Sequence, residues 1–161
     1  MKLIVSNAGP IISFCRAGRL DILKLILSEI VIPGAVYSEL VEHGKDRPGT
    51  SEVVNSIWIK TREIKNLDGI MSLPHTLGSG EKEAIILAEE LDGFILLDDK
   101  RARNEAKIRE LKIISTMDIL LEAKSLCVIK YIHPVLDDFI KTGFRLSKEL
   151  YREILFKSGE L

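Results

Sequence analysis

The sequence predicts an α/β domain built on a parallel sheet. Short apolar runs alternate with helix-length segments along most of the chain. Those runs are nearly unbroken Ile, Val and Leu, as in strands buried on both faces. The last two helical segments have no strand between them and are expected to pack as a helical hairpin. At 161 residues the chain is long enough to bury one real core.

Lys2–Ser6 reads as the first strand. Asn7-Ala-Gly-Pro10 turns into a helix, with proline suited to its first turn. Ile11, Ile12, Phe14 and Cys15 give that helix its apolar face, and Gly18 ends it. Leu20, Leu23, Ile26 and Leu27 recur at helical spacing and mark a second helix. Ile30–Ile32 is a strand, and Pro33 opens a helix expected to run to about His43. A polar loop over Lys45–Ser51 leads to a short helix, Glu52–Ser56, and the strand Trp58–Arg62. Glu63–Leu77 shows no regular period and is expected to be a loop, open to motion. Gly78-Ser-Gly80 introduces the helix Glu81–Leu91, and Gly93 stops it before the strand Phe94–Leu97. A helix over Lys100–Leu111 and the strand Ile113–Ile114 follow. Ser115-Thr116 has the chemistry to cap the helix Met117–Ser125. Pro134–Lys141 and Ser147–Lys157 are the closing helices.

Composition excludes several classes of function. The net charge of −1 rules out whole-molecule electrostatic binding to nucleic acid, so any phosphate contact must come from a local patch. Cys15 and Cys127 lie among apolar residues and are expected as two buried thiols. His43, His75 and His133 are far apart in sequence, which argues against zinc. The opening apolar run is too short for a signal peptide, and charges interrupt the stretch from Leu20 to Ile32, so no membrane span is expected. A cytoplasmic location is the expectation. Neither a GxxxxGK[ST] loop nor a GxGxxG after a strand is present.

The chemistry concentrates in carboxylates. Asp98 and Asp99 end the fourth expected strand, at the sheet edge where open α/β folds bind ligands. One of them could cap the following helix, and both together suit a hard divalent cation. Glu81 and Glu83 lie in the first turn of the preceding helix, about 200° apart around its axis, so only one can face a cleft there. Glu83, followed by Ala84, is the better inward candidate. Glu81 also suits the positive end of the helix dipole. Glu39 sits beside Val36 and Leu40, where spacing alone favours a solvated surface glutamate. Lys100, Arg103 and Lys107 share one helix face, with Arg101, Arg109 and Lys112 nearby, so a phosphate backbone could lie along it. Glu105 and Glu110 would offset part of that charge.

Four motifs then form a recognisable series: Val5-Ser-Asn-Ala-Gly-Pro-Ile-Ile, Ile32-Pro-Gly-Ala-Val-Tyr-Ser-Glu39-Leu, Leu77-Gly-Ser-Gly-Glu-Lys-Glu-Ala84 and Leu96-Leu-Asp-Asp-Lys-Arg101. With the tail from Pro134 through Ser147-Lys-Glu-Leu-Tyr, the chain resembles PIN-domain proteins, in particular a prokaryotic branch similar to toxin-type ribonucleases. The resemblance implies a three-layer α/β/α sandwich around a parallel sheet of about five strands. It implies a PIN-like domain over residues 1–128 and a helical extension over 129–161 packed on the same domain. It also implies an endoribonuclease that uses Mg²⁺ or Mn²⁺, with RNA as substrate, an antitoxin protein as possible partner, and a homodimer. Family acids carry over to Glu39, to Glu83 or Glu81, and to Asp98 or Asp99, and the basic helix adds Lys100, Arg101, Arg103 and Lys107 as candidate phosphate contacts.

One position departs from the pattern. PIN nucleases usually carry aspartate at the end of the first strand, and here it is Asn7. An amide oxygen can coordinate a cation but adds no charge, so Asn7 is a weak ligand at best. Its side chain could instead fix the turn by an Asx-type hydrogen bond. The alternative functions are a nucleic-acid-binding or protein-interaction module that has lost cleavage, and a purely structural homodimer subunit.

Overall fold

A computed structural model of the chain describes residues 3–161. Five strands, β1 (Ile4–Ser6), β2 (Ile30–Ile32), β3 (Ile59–Thr61), β4 (Phe94–Leu96) and β5 (Lys112–Ile114), form one parallel sheet. Its spatial order is β3-β2-β1-β4-β5. The chain starts in the middle, adds two strands on one side, then returns to place β4 beside β1. Strand order reverses between those two, which is where the carboxyl edge of an open sheet offers a crevice.

Successive strand residues point to opposite faces, and here the two faces feed two separate cores. Val5, Val31, Ile95 and Leu97 join one core, under α6 (Ser79–Leu91) and α7 (Lys100–Ile108). Ile30, Ile32 and Leu96 join the other. Residues of α1 (Ala8–Arg16), α2 (Leu20–Leu27) and α8 (Thr116–Ser125) build that second core. So do α9 (His133–Lys141) and α10 (Lys148–Lys157). This is the expected three-layer sandwich. Ala84, Ala88, Ala102 and Ala106 are fully buried, small side chains that let α6 and α7 lie close to the sheet.

Several expectations need correction. Glu63–Leu77 is not an irregular loop. It contains a short helix, α5 (Leu67–Met71), capped by Asn66, whose Oδ1 accepts from Gly69 N at 3.0 Å. Glu90 accepts the backbone N–H groups of Lys65 and Asn66, and Arg109 bridges Ser72 to Glu89, so the segment is tied to α6 and α7. Polar tethers hold this segment, together with the buried Leu73 and Leu77, with Ile64 and Ile70 packed beside them. The helix expected from Pro33 to His43 is α3 (Gly34–Tyr37) running into a π-helical turn over Ser38–Glu42. Cys127 is exposed rather than buried, and only Cys15 is half-buried, with burial pushing its thiol up to about 12. The expected strand residue Lys2 lies outside the described residues.

The last two helices are not loosely hung. α9 packs on α1, and α10 packs on α8. Glu160 closes this arrangement from beyond α10. Its carboxylate accepts from Ile132 N (2.6 Å), His133 N (3.2 Å) and Lys124 Nζ (3.0 Å), and lies 2.8 Å from His133 Nδ1. Burial alone would push the Glu160 carboxyl up, but these donors overcome it and hold it down to about 2. A carboxyl depressed on folding stabilises the fold above its unfolded value, near 4.5, and that contribution is lost as pH falls towards 2. Glu160→Gln is therefore expected to cost roughly 2 kcal/mol at pH 7 once solvent screening is allowed for. The gap from wild type should narrow between pH 4.5 and pH 2.5 in urea unfolding. A pH-independent gap would contradict this.

Candidate active site at the carboxyl edge of the sheet

Asn7 directly follows β1. Its backbone N–H donates to Leu96 O at 3.1 Å, extending the β1–β4 ladder by one step. The residue is buried and occupies the N-cap position of α1, yet its side chain makes no capping hydrogen bond. The expected Asx-type bond is therefore absent, and the amide oxygen faces α6 instead. A Cβ placed on Gly80 would lie 3.6 Å from Asn7 Oδ1 and 2.9 Å from Glu39 Oε2.

Glu39 reaches that point because of the π-helical turn. A wide turn of this kind re-aims side chains and leaves carbonyls in need of partners. Thr50 supplies one: its hydroxyl shares its proton between Leu40 O at 2.7 Å and Gly44 O at 2.5 Å. Asn7, Glu39, Gly78, Ser79, Gly80 and Glu81 together line a small cleft of about 180 Å³.

Glu81 is the acid that α6 presents here. Its Oε2 accepts from Gly78 N at 3.0 Å, so it also holds the helix start, as its position in the first turn suggested. Burial raises the Glu81 carboxyl above its ordinary value, and the Gly78 N–H opposes this. The negative charges of Asp99 and Glu39 raise it further, while Arg101 lowers it. Glu81 thus feels the charge of two other carboxylates. Glu83, the expected inward residue, is bonded to backbone, its Oε1 accepting from Ala35 N at 3.1 Å and securing the start of α3, and it lines an adjoining cleft with Glu39 and Ser79.

The aspartate pair divides its work. Asp99 caps α7, with Oδ2 accepting from Ala102 N at 3.0 Å, and its charge faces Glu81. Asp98 turns the other way. Its Oδ1 accepts from Thr116 N at 2.8 Å and its Oδ2 accepts the Thr116 hydroxyl, joining β4 to the start of α8. Burial raises its carboxyl, and the Thr116 bonds and the Arg103 charge pull against that. Ser115 caps α8 as its sequence suggested, accepting from Asp118 N at 3.1 Å. Of the candidate cations, Arg101 acts on the charge of Glu81. Lys100 and Arg103 line a neighbouring groove, and Lys107 lines neither groove nor cleft.

A family model described as a PIN domain matches residues 3–160. The chain belongs to the PIN-domain family. PIN domains are in general nucleases. Among solved structures, a PilT N-terminus domain protein from the hyperthermophilic archaeon Sulfolobus solfataricus is similar in fold. It shares 19% identity, with a TM-score of 0.57 over 75% of this chain and 92% of that one. No curated protein sequence matches the chain. Among the described residues, no helix of this PIN domain is long and apolar enough to cross a membrane.

PIN domains are typically dependent on divalent metal. Among the described residues, no three His, Cys, Asp or Glu side chains stand close enough to grip one ion together. The donor chemistry nevertheless fits. Glu39, Glu81, Asp99 and the Asn7 amide offer hard oxygens, which suit Mg²⁺ or Mn²⁺ and not a soft-ligand metal. A cation there would need the two flexible glutamates to turn inwards.

Gly80 keeps that space open. Alanine would ordinarily favour the helix by about 1 kcal/mol. Here its Cβ would displace the Glu39 carboxylate. Gly80→Ala is expected to leave thermal stability equal or higher while lowering metal-dependent cleavage about tenfold. Unchanged cleavage would show that Glu39 works from another position.

Proposed function

We propose that this PIN domain is a Mg²⁺- or Mn²⁺-dependent endoribonuclease. Glu39, Glu81 and Asp99 would be its acid set, with Asn7 as a neutral fourth donor. The observation that supports this most is the shared cleft lined by Asn7, Glu39 and Glu81, where burial, and then the charges of Asp99 and Glu39, raise the Glu81 carboxyl. Like charges gathered at a cleft are relieved by a cation. Bound there, the metal would supply positive charge to the scissile phosphate and activate a water. Glu39, Glu81 and Asp99 hold the charge that recruits it. Arg101, whose charge acts on Glu81, would offset part of that charge and offer donors to a phosphate oxygen. Asp98 acts as a positioning residue through Thr116. Glu83 supports the site by holding the start of α3, the helix that carries on into the Glu39 turn.

A toxin role, with an antitoxin protein as partner and a homodimer as the active form, is part of the same proposal. It rests on family membership alone.

Asn7 supports a second reading, a binding module with little or no cleavage. One experiment separates the two. Wild type and Asn7→Asp are incubated with unstructured single-stranded RNA and Mn²⁺, with and without chelator. The nuclease reading expects chelator-sensitive cleavage by wild type and about ten- to a hundredfold tighter metal binding in Asn7→Asp, from one added charge beside a divalent ion. Cleavage by the variant alone would make the natural chain a binding module. No cleavage by either would overturn the proposal.

A further inference from the structure

The acid cluster does not stand alone on this edge of the sheet. A groove of about 600 Å³ begins at Asp98 and Asp99 and runs between α7, α8 and the C-terminal helices. Four cations line it: Lys100 and Arg103 from α7, Arg145 from the α9–α10 connection, and Lys157 from the end of α10. Sequence reading pointed to the first two only.

The groove also holds three acids, and each is already engaged by the protein. Asp98 is bonded to Thr116 and Asp99 to Ala102 N. Asp118 accepts from Ser115 N at 2.8 Å. By contrast, Lys100, Arg103 and Arg145 make no ion pair among the described residues. Lys157 pairs with Glu153, one turn back on an exposed face, and its charge also feels Asp118. The groove thus carries four cations against three acids, and Lys100, Arg103 and Arg145 keep donors to offer a ligand, with Arg103 also acting on the charge of Asp98.

Its floor is apolar. Met117, Phe144, Leu150 and Ile154 line it between the charged walls. Leu150 is 39% exposed and Phe144 is half-buried, so both present apolar surface to the groove. Cations for a backbone beside an apolar floor for flat, unpaired rings match the chemistry of a single strand. A duplex hides its bases and would use only the cations. Asp99 borders the groove and its charge also acts on Glu81 of the cleft, so the groove adjoins the acids.

We propose that this groove binds the single-stranded RNA substrate, with Arg103, Arg145, Lys100 and Lys157 on its phosphates and α10 with the α9–α10 connection forming one wall of the site. This rests on the nuclease reading above and adds where the strand lies. The C-terminal extension then takes part in substrate binding as well as packing.

The test measures binding without cleavage. A labelled, unstructured RNA of about twelve nucleotides is titrated by fluorescence anisotropy in EDTA, across a range of salt. Four phosphate contacts to a single strand predict a slope of log affinity against log salt of about −2.8. Arg103→Ala/Arg145→Ala should bring it to about −1.4 and weaken binding at least tenfold at low salt. Lys24→Ala/Lys45→Ala, charge removals on other exposed segments, should leave the slope as in wild type. An equal fall in both pairs, or none in the first, overturns the proposal. So does a duplex of the same sequence binding as tightly. Absence of RNA binding by wild type at low salt also overturns it, and would leave the groove to a protein partner. Failure of the nuclease reading looks different: RNA binds through the groove with the expected slope, yet Mn²⁺ elicits no cleavage.

Discussion

Glu39→Gln is expected to lower metal-dependent cleavage by about a hundred- to a thousandfold while leaving the fold intact. The substitution keeps the shape of the side chain and removes its charge. Glu39 is exposed and its side chain makes no hydrogen bond within the described protein, so stability should stay within about 0.5 kcal/mol of wild type. The chemical consequence is separate from that. Glu39 is one of two carboxylates that raise Glu81, so its neutralisation should lower the Glu81 carboxyl. An acid needed in its ionised form would then be ionised at lower pH. The acidic limb of the residual pH–rate profile should shift downwards. Cleavage assays with Mn²⁺ across pH, with thermal unfolding alongside, check both parts. Activity within threefold of wild type would remove Glu39 from the site. Lost activity with an unshifted profile would remove the coupling to Glu81.

The same residue shows where sequence reading reached and where it stopped. β1, β2 and β4 were legible because strands buried on both faces must be apolar throughout, and Ile30-Val-Ile32 is apolar throughout. Asp99 was legible as a cap, since that role follows from its place between strand and helix. The choice between Glu81 and Glu83 was not. Helical geometry says that only one faces the cleft, but which one depends on how α6 is rotated against α3. Glu83 was favoured for its apolar neighbour Ala84, and the structure gives Glu83 to Ala35 N instead. Glu39 needed a π-helical turn, a local excess of backbone with no side-chain signature. The Thr50 hydroxyl that serves the turn looked like part of a polar loop. Thr116 read as a cap and proved to be the partner of Asp98. Arg145 and Lys157 lie more than forty residues beyond Asp99. Their approach to it exists only in the packed fold.

Whether the groove exists in solution depends on how firmly the C-terminal helices are held, and Phe139→Ala tests this directly. Phe139 is fully buried in α9, edge-on to Phe14 of α1 at 5.0 Å and to Phe144 at 5.7 Å. Truncation removes these ring contacts and leaves a cavity in the core that also contains Ile30, Ile32 and Leu96 of the sheet. The expected cost is about 3–5 kcal/mol. Its distribution matters as much as its size. The single tryptophan, Trp58, belongs to the same core and comes from the opposite end of the sheet, next to β3. If residues 129–161 are integral, Trp58 fluorescence and far-UV circular dichroism should shift together to the same lower denaturant midpoint. Phe139→Leu, which keeps most of the volume, should recover all but about 1.5 kcal/mol. A separate early transition that leaves the Trp58 signal unmoved would instead define the extension as an independent module. Phe144 and Arg145 would then leave the groove whenever that module opened, and RNA affinity would track its local stability rather than the global one.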